Sequence, residues 1–286
     1  MTANLTVAEL LAEGVRELRG SPAGAEPAAS AELDAQLLLA HAMAVARVRL
    51  KSHPEELPDP SRTQHYRRLL ARRAAGEPLA YLTGCRDFWS LTLKVTPAVL
   101  IPRPETELLV ERALALRPAA EGRVADLGTG CGAVALALAS ERPHWHVVAS
   151  DACVDALAVA RVNAAALGLS RVQLRHGDWY QALLGERFDL LVSNPPYVAQ
   201  DDPALKAAAL SHEPPRALTP GPDALSSLRT LVHGAPRHLA PEGWLLLEHG
   251  ATQGADVRRE LVDAGFRHVR SHRDLAGHER MTEGQR

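Results

Sequence analysis

The sequence predicts an α/β protein: a seven-stranded, mostly parallel sheet flanked by helices, preceded by a small helical bundle and joined to it by a β-hairpin. Three observations carry this. From residue 123 onward, short apolar runs alternate with helical patterns. Residues 1–80 show helical periodicity only. Residues 81–102 switch to strand-like alternation.

The elements follow in order. "LTVAELLAEGVRELRG" puts Leu5, Leu10, Leu11, Val15 and Leu18 on roughly one helix face, and Thr6 with Glu9 resembles a capping box. "SPAGAEPAAS" breaks the pattern, "AELDAQLLLAHAMAV" is a second helix, "LPDPS" breaks again, and "RTQHYRRLLARRAAG" is a third helix ending at Gly76. Its Arg67, Arg68, Arg72 and Arg73 form either a solvated face or a contact for a partner, the solvated face being the reading favoured. Leu91, Leu93 and Val95 alternate in the expected hairpin. "PRPETELLVERALAL" opens a helix, with Pro104 in its first turn and Glu105 and Glu107 at the positive end of its dipole. The seven strands are "RVADL", "HVVASD", "VQLRHGD", "FDLLVSN", "GWLLLEHG", and a terminal pair near "FRHVRSH" and "ERMTEG". Helices fill the gaps, including 223–238 and 253–264. The domains expected are 1–80 helical, 81–102 linker and 103–286 α/β.

The totals narrow the function classes. The chain has 286 residues, 46% hydrophobic and 23% charged, which suits a soluble globular protein with a sizeable core. A net charge of −2 argues against nonspecific attraction to nucleic acid. Cys85, Cys131 and Cys153 are far apart, so neither a disulfide framework nor a metal site is expected. Glu9, Glu13 and Glu17 exclude a signal peptide, and no apolar run reaches the ~20 residues a membrane span needs. A cytoplasmic, monomeric protein with no membrane contact is expected.

"VADLGTGCGAVALALA" ends a strand and opens a helix, with Gly128, Gly130 and Gly132 spaced G-x-G-x-G. Glycines there let the backbone turn sharply and approach a ligand. The third glycine of the dinucleotide pattern would fall at Ala133, so the form points to S-adenosylmethionine rather than NAD. Asp151 ends the next strand, about 20 residues on, where a carboxylate meets ribose hydroxyls. Asp126 reaches the cofactor indirectly or braces the loop. In "GDWY", Asp178 and Trp179 fall where an adenine ring lies in this architecture, although Trp179 also suits a core.

"FDLLVSNPPY" places Asn194 at the carboxyl end of the fourth strand, aimed at the same crevice. A planar amide or aniline-like nitrogen is a poor nucleophile, because its lone pair is delocalised. Acceptors on both of its N–H groups orient it toward a methyl donor and stabilise the positive charge it develops. The Asn194 side-chain carbonyl and the Pro195 backbone carbonyl supply two acceptors. Pro195 and Pro196 limit the loop's freedom, and Tyr197 offers a face to a planar group.

"NPPY" after a strand, behind the glycine triplet, resembles methyltransferases that modify planar nitrogens, on adenine N6 or on glutamine. "YLTGCRDFWSLTLKVTPAVLIPRPETELLVE", "DLGTGCGAVALALA", "GDWY", "SNPPYV" and "LLLEHG" together resemble the bacterial peptide chain release factor glutamine N5-methyltransferase family, over most of residues 80–285. The resemblance implies a Rossmann-like methyltransferase fold, S-adenosylmethionine as cofactor, and a role in translation termination. The implied target is the glutamine of the Gly-Gly-Gln motif of class I release factors, gripped partly by the helical domain. Carried over by motif, Asp126, Gly128, Thr129, Gly130, Cys131, Gly132, Asp151, Asp178, Trp179 and Asn194 surround the cofactor. Asn194, Pro195, Pro196 and Tyr197 hold the substrate amide, with Asn194, Pro195 and Tyr197 as the catalytic set. Cys131 stands where relatives often have Ser or Thr, and Arg103 to Glu107 lie near the pocket mouth with no role assigned. An adenine-N6 enzyme is the rival reading. Against it, residues 1–85 balance ten Arg and Lys with ten Asp and Glu. A non-catalytic adapter is a third, disfavoured by the intact glycines, Asp151 and Asn194.

Overall fold

Helix α1 (Val7–Arg19) starts at the capping box read from the sequence. Glu9 Oε2 accepts from Thr6 N at 2.8 Å, and Thr6 Oγ1 accepts from Glu9 N at 3.3 Å. The structure is a computed structural model that describes residues 5–21, 28–117, 119–183, 185–206 and 210–286. The break expected over "SPAGAEPAAS" lies largely outside them.

The second and third expected helices are α2 (Ala28–Met43) and α4 (Pro60–Ala74), but two shorter helices were not foreseen: α3 (Arg47–Ser52) and α5 (Leu79–Thr83). Leu10, Leu38, Leu39, Tyr66 and Leu70 fill the core of this bundle. The arginine face of α4 is solvated at Arg67, Arg68 and Arg72, as favoured, and the correction is Arg73. Arg73 is buried and its guanidinium donates to Asp34 at 2.8 Å, while Arg67 pairs with Glu13 and Arg72 with Glu77. Arg67 and Arg72 keep exposed side chains in these surface pairs, and Arg73 alone of the four is buried. The described residues up to Gly84, with Lys206 and Leu210 to His212, form one compact unit, and those of 85–205 and 213–286 form a second.

The second unit opens with the hairpin β1 (Cys85–Phe88) and β2 (Leu91–Lys94), paired antiparallel. A 3-10 turn, Pro104–Thr106, leads into α6 (Glu107–Leu116). Then follow β3 (Arg123–Leu127), α7 (Ala133–Glu141), β4 (His146–Asp151), α8 (Val154–Ala166), β5 (Gln173–His176), β6 (Phe188–Ser193), the short α9 (Pro215–Leu218), α10 (Ser226–Gly234), β7 (Leu239–Glu248), α11 (Gly254–Asp263), β8 (Arg267–Arg273) and β9 (Glu279–Gln285). The seven strands order as β5-β4-β3-β6-β7-β9-β8, parallel except for β9. β3 is followed by a neighbour on one side and β6 lies on the other, so the order reverses between them. Ligands of open α/β sheets bind at that switch, beyond the carboxyl ends of the strands.

β7 begins four residues before the strand read as "GWLLLEHG". Phe188 pairs with Leu239 and Leu190 with Trp244, so residues 240–243 of β7 bulge against one residue of β6, with Glu242 at φ 63°. Pro241 and Gly243 sit in this bulge, where a strand tolerates proline and glycine. The helix expected over 223–238 is correspondingly shorter, ending in a 3-10 turn, Ala235–Arg237.

Candidate active site

Beyond the ends of β3, β4 and β6 lies a cavity of about 280 Å³. Its first wall is the turn after β3. Gly128, Gly130 and Gly132 all have positive φ, at 76°, 58° and 90°. Nothing lies within 4 Å of where a Gly130 Cβ would stand, so that glycine answers to its φ and leaves open space toward the cavity. A Cβ on Gly132 would meet Leu136 at 3.0 Å, so this glycine packs the turn against α7 and does not line the cavity.

Two carboxylates brace the turn. Asp151 Oδ2 accepts from Gly130 N at 2.9 Å and its Oδ1 from Cys153 N at 2.8 Å. Each oxygen keeps a lone pair for a further donor. Asp126 is buried, and its Oδ2 accepts from Thr129 Oγ1 at 2.7 Å and from Ala135 N at 3.2 Å. Burial raises its carboxyl to about 6, against those two hydrogen bonds. Asn163, which the sequence reading passed over, adds a third brace. Its Nδ2 donates to Cys131 O at 2.9 Å and to Lys94 O at 3.0 Å, tying the turn to β2. Burial pushes the Cys131 thiol up to about 12, so it lines the cavity as a neutral group.

Asp178 and Trp179 also line the cavity. The Trp179 ring reaches to 3.4 Å from the Gly128 Cβ position and packs on the sheet core as well, at a backbone φ of 43°. Trp179 thus lines the cavity and packs on the core at once.

The second wall is the Asn-Pro-Pro-Tyr turn after β6. Ser193 Oγ donates to Leu127 O at 2.6 Å and locks the ends of β6 and β3 together. Asn194 and Pro196 line the cavity, and Pro195 between them is buried. Asn194 Nδ2 donates to Thr106 Oγ1 at 3.1 Å. Among the described residues nothing donates to Asn194 Oδ1 or to the Pro195 carbonyl. The structure places Tyr197 off the cavity wall: its ring packs on the core and its hydroxyl donates to Glu248 Oε1 at 3.2 Å.

The stretch Arg103 to Glu107, unassigned from sequence, anchors this corner. Arg103 pairs with buried Glu213, whose Oε2 accepts from Ile101 N at 3.0 Å. Glu107 Oε1 accepts from Trp89 N at 2.8 Å and fixes the hairpin turn. Glu213 thereby joins the segment holding Leu100 and Pro102 to the one holding Arg216 and Ala217, all four lining the cavity. Glu248, which the sequence reading did not single out, ends β7, the strand paired with the β6 that leads to Asn194.

Among the described residues no cluster of acidic, His or Cys side chains is arranged to hold a metal, and no helix is long and apolar enough to cross a membrane.

Comparison with known proteins gives the following. Residues 9–84 match the PrmC N-terminal domain model, and residues 104–226 match the Methyltransferase small domain model. The chain is 52% identical over 254 residues to a release factor glutamine methyltransferase of Xylella fastidiosa (strain Temecula1), covering 88% of this chain and 92% of the relative. It is 50% identical over 256 residues to one of Pseudomonas aeruginosa, covering 90% and 93%. Among solved structures, a T. Thermophilus 16S rRNA N2 G1207 methyltransferase in complex with AdoMet and guanosine aligns at 21% identity and a TM-score of 0.52, over 71% of this chain and 49% of that one. At that identity the likeness is one of fold.

Proposed function

The chain belongs to the release factor glutamine methyltransferase family, and from that premise we propose that it methylates the side-chain nitrogen (N5) of the glutamine in the Gly-Gly-Gln motif of class I peptide chain release factors. It is an enzyme that uses S-adenosylmethionine. The residues fit that cofactor: a glycine turn open at Gly130, a half-buried Asp151 with spare lone pairs, and an indole beside Gly128 surround one cavity. S-adenosylmethionine supplies an electrophilic methyl group on a sulfonium.

In this reading Gly128 to Cys131 and Asp151 hold the cofactor, with Gly132 packing the turn on α7 and Asp126 bracing it, and Asp178 and Trp179 flank its adenine. Asn194 Oδ1 and the Pro195 carbonyl accept from the two N–H groups of the glutamine amide. They turn its nitrogen toward the methyl and stabilise its developing positive charge, so the transition state is bound more tightly than the ground state. Pro195 and Pro196 hold these acceptors before substrate arrives. No side-chain base is needed, because the methylated nitrogen loses its proton to water. The observation that carries the reading is an Asn194 amide tied at its NH2, with a carbonyl that takes no hydrogen bond, on the cavity shared with the glycine turn.

Incubation with labelled S-adenosylmethionine and intact release factor tests it. Label is expected on the release factor and not on duplex DNA. Label on adenine with none on the release factor would refute it.

A further inference from the structure

Behind the Asn-Pro-Pro-Tyr turn lies a carboxylate that the transfer chemistry above does not use. Glu248 ends β7, beside β6, and is 2% exposed. Its Oε1 accepts the Tyr197 hydroxyl. Its Oε2 is buried and takes no hydrogen bond among the described residues, and the Thr106 hydroxyl acts to lower the pKa of the carboxylate. Thr106 is also the residue that holds the Asn194 NH2. A buried carboxylate that is incompletely paired lowers stability, so packing alone would be better served by a neutral residue.

The direction of the hydrogen bonds gives Glu248 a use. An ionised carboxylate only accepts, and a hydroxyl has one proton to give. When Thr106 gives its proton to Glu248, its oxygen is left to accept, and the Asn194 group it meets must be the NH2. The Asn194 carbonyl then faces the cavity. The two ends of a side-chain amide are nearly equal in shape, so packing alone does not choose between them.

We propose that Glu248 is a positioning residue: an acceptor-only terminus that, through Thr106, makes Asn194 present its carbonyl rather than its NH2 to the substrate nitrogen. Through Tyr197 it also seats the turn that carries the Pro195 carbonyl. This rests on the methyl-transfer reading above.

Protonation reverses the chain. A neutral Glu248 donates to Thr106, Thr106 donates to the Asn194 carbonyl, and the NH2 turns toward the amide substrate, donor against donor. Burial raises the Glu248 carboxyl to about 7; the Thr106 and Tyr197 hydroxyls oppose the rise, Glu105 adds to it and Arg280 opposes it. The Tyr197 hydroxyl stays protonated, its own pKa pushed up by burial and by Glu248, with Arg280 and Arg103 opposing.

The test is kcat for release factor methylation at saturating S-adenosylmethionine, from acid through neutral to alkaline pH. Saturation removes the contribution of Asp126, which also titrates near the cofactor. The wild type is expected to lose about tenfold per pH unit below about 7. Glu248→Gln, whose amide supports both orientations, is expected to lose about tenfold at alkaline pH and to show no acid limb. Thr106→Val is expected to fall on the order of 10²-fold, and Thr106→Ser to recover most of it. Cofactor affinity by titration is expected to stay within about threefold in all three. An acid limb retained in Glu248→Gln, or full kcat in Thr106→Val, overturns the inference. If Glu248→Gln does not fold, the Val and Ser pair decides alone. A wild type that labels no release factor fails the proposed function instead, and the inference with it.

Discussion

The two walls of the cavity are built differently. On the glycine-turn wall the carboxylate braces are close in sequence: Thr129 lies three residues from Asp126, Gly130 lies 21 from Asp151, and both Asp151 oxygens hold a backbone N–H, with Asn163 reaching Cys131 from 32 residues off. On the Asn-Pro-Pro-Tyr wall the braces come from far away and acceptors are left over. Asn194 is held from 88 residues off by Thr106, Tyr197 from 51 residues off by Glu248, and among the described residues Asn194 Oδ1 and the Pro195 carbonyl take no hydrogen bond. A satisfied wall forms a seat for a ligand. A wall with spare acceptors is shaped for a donor that arrives later, and forgoes some stability until it does.

The contrast is sharpened first by Asn194→Ala. Removing one preorganised acceptor is expected to lower kcat on the order of 10² to 10³-fold while cofactor affinity changes little. Single-turnover kinetics beside a binding titration checks this, and the opposite pattern would merge the two walls. Asp151→Ala is expected to do the reverse. It strands two backbone N–H groups, which costs ~1–3 kcal/mol, and cofactor affinity should fall about tenfold or more before kcat changes. Gly130→Ala isolates the backbone alone. With no neighbour to clash, the cost is that of a left-handed conformation, ~1–2 kcal/mol, read as a lower Tm.

The smallest effect is in the pH dependence of stability. The raised carboxyls of Asp126 and Glu248 bind protons in the folded state that they have lost in the unfolded one. Their contribution to stability is therefore full below the ordinary carboxylate range and declines as pH rises toward about 6 and about 7 respectively. Glu248→Gln should flatten the upper part of that decline, and Asp126→Asn the lower part, in melts at a series of pH values. A melt series unchanged in Glu248→Gln would show that the buried carboxylate carries no such cost.

The same division governs what could be read from sequence. The strands, the glycine turn and the strand-end asparagine are legible because each is set by local rules: period two, positive φ, and a position at a carboxyl edge. The anchors are not, because Thr106, Glu213 and Asn163 act across long stretches of chain and look like ordinary helix or loop residues until the sheet brings them together. The short α3 and α5 carry too few residues for a helical period to show, and Pro241 and Gly243 interrupt the strand pattern where β7 begins. Arg73 is a different case. It falls at the helical spacing of Tyr66, Leu69 and Leu70, all buried, so its place on the inner face was available in the pattern and masked by the neighbouring arginines.

The central claim is that Asn194 acts on the glutamine nitrogen and not on the cofactor. The direct measurement is methyl transfer from labelled S-adenosylmethionine to intact release factor, by wild type and Asn194→Ala, with the cofactor dissociation constant taken on the same preparations. The account predicts labelled release factor with wild type, nearly none with the variant, and equal cofactor affinity. A variant that keeps its rate at saturating cofactor but binds it weakly would contradict it.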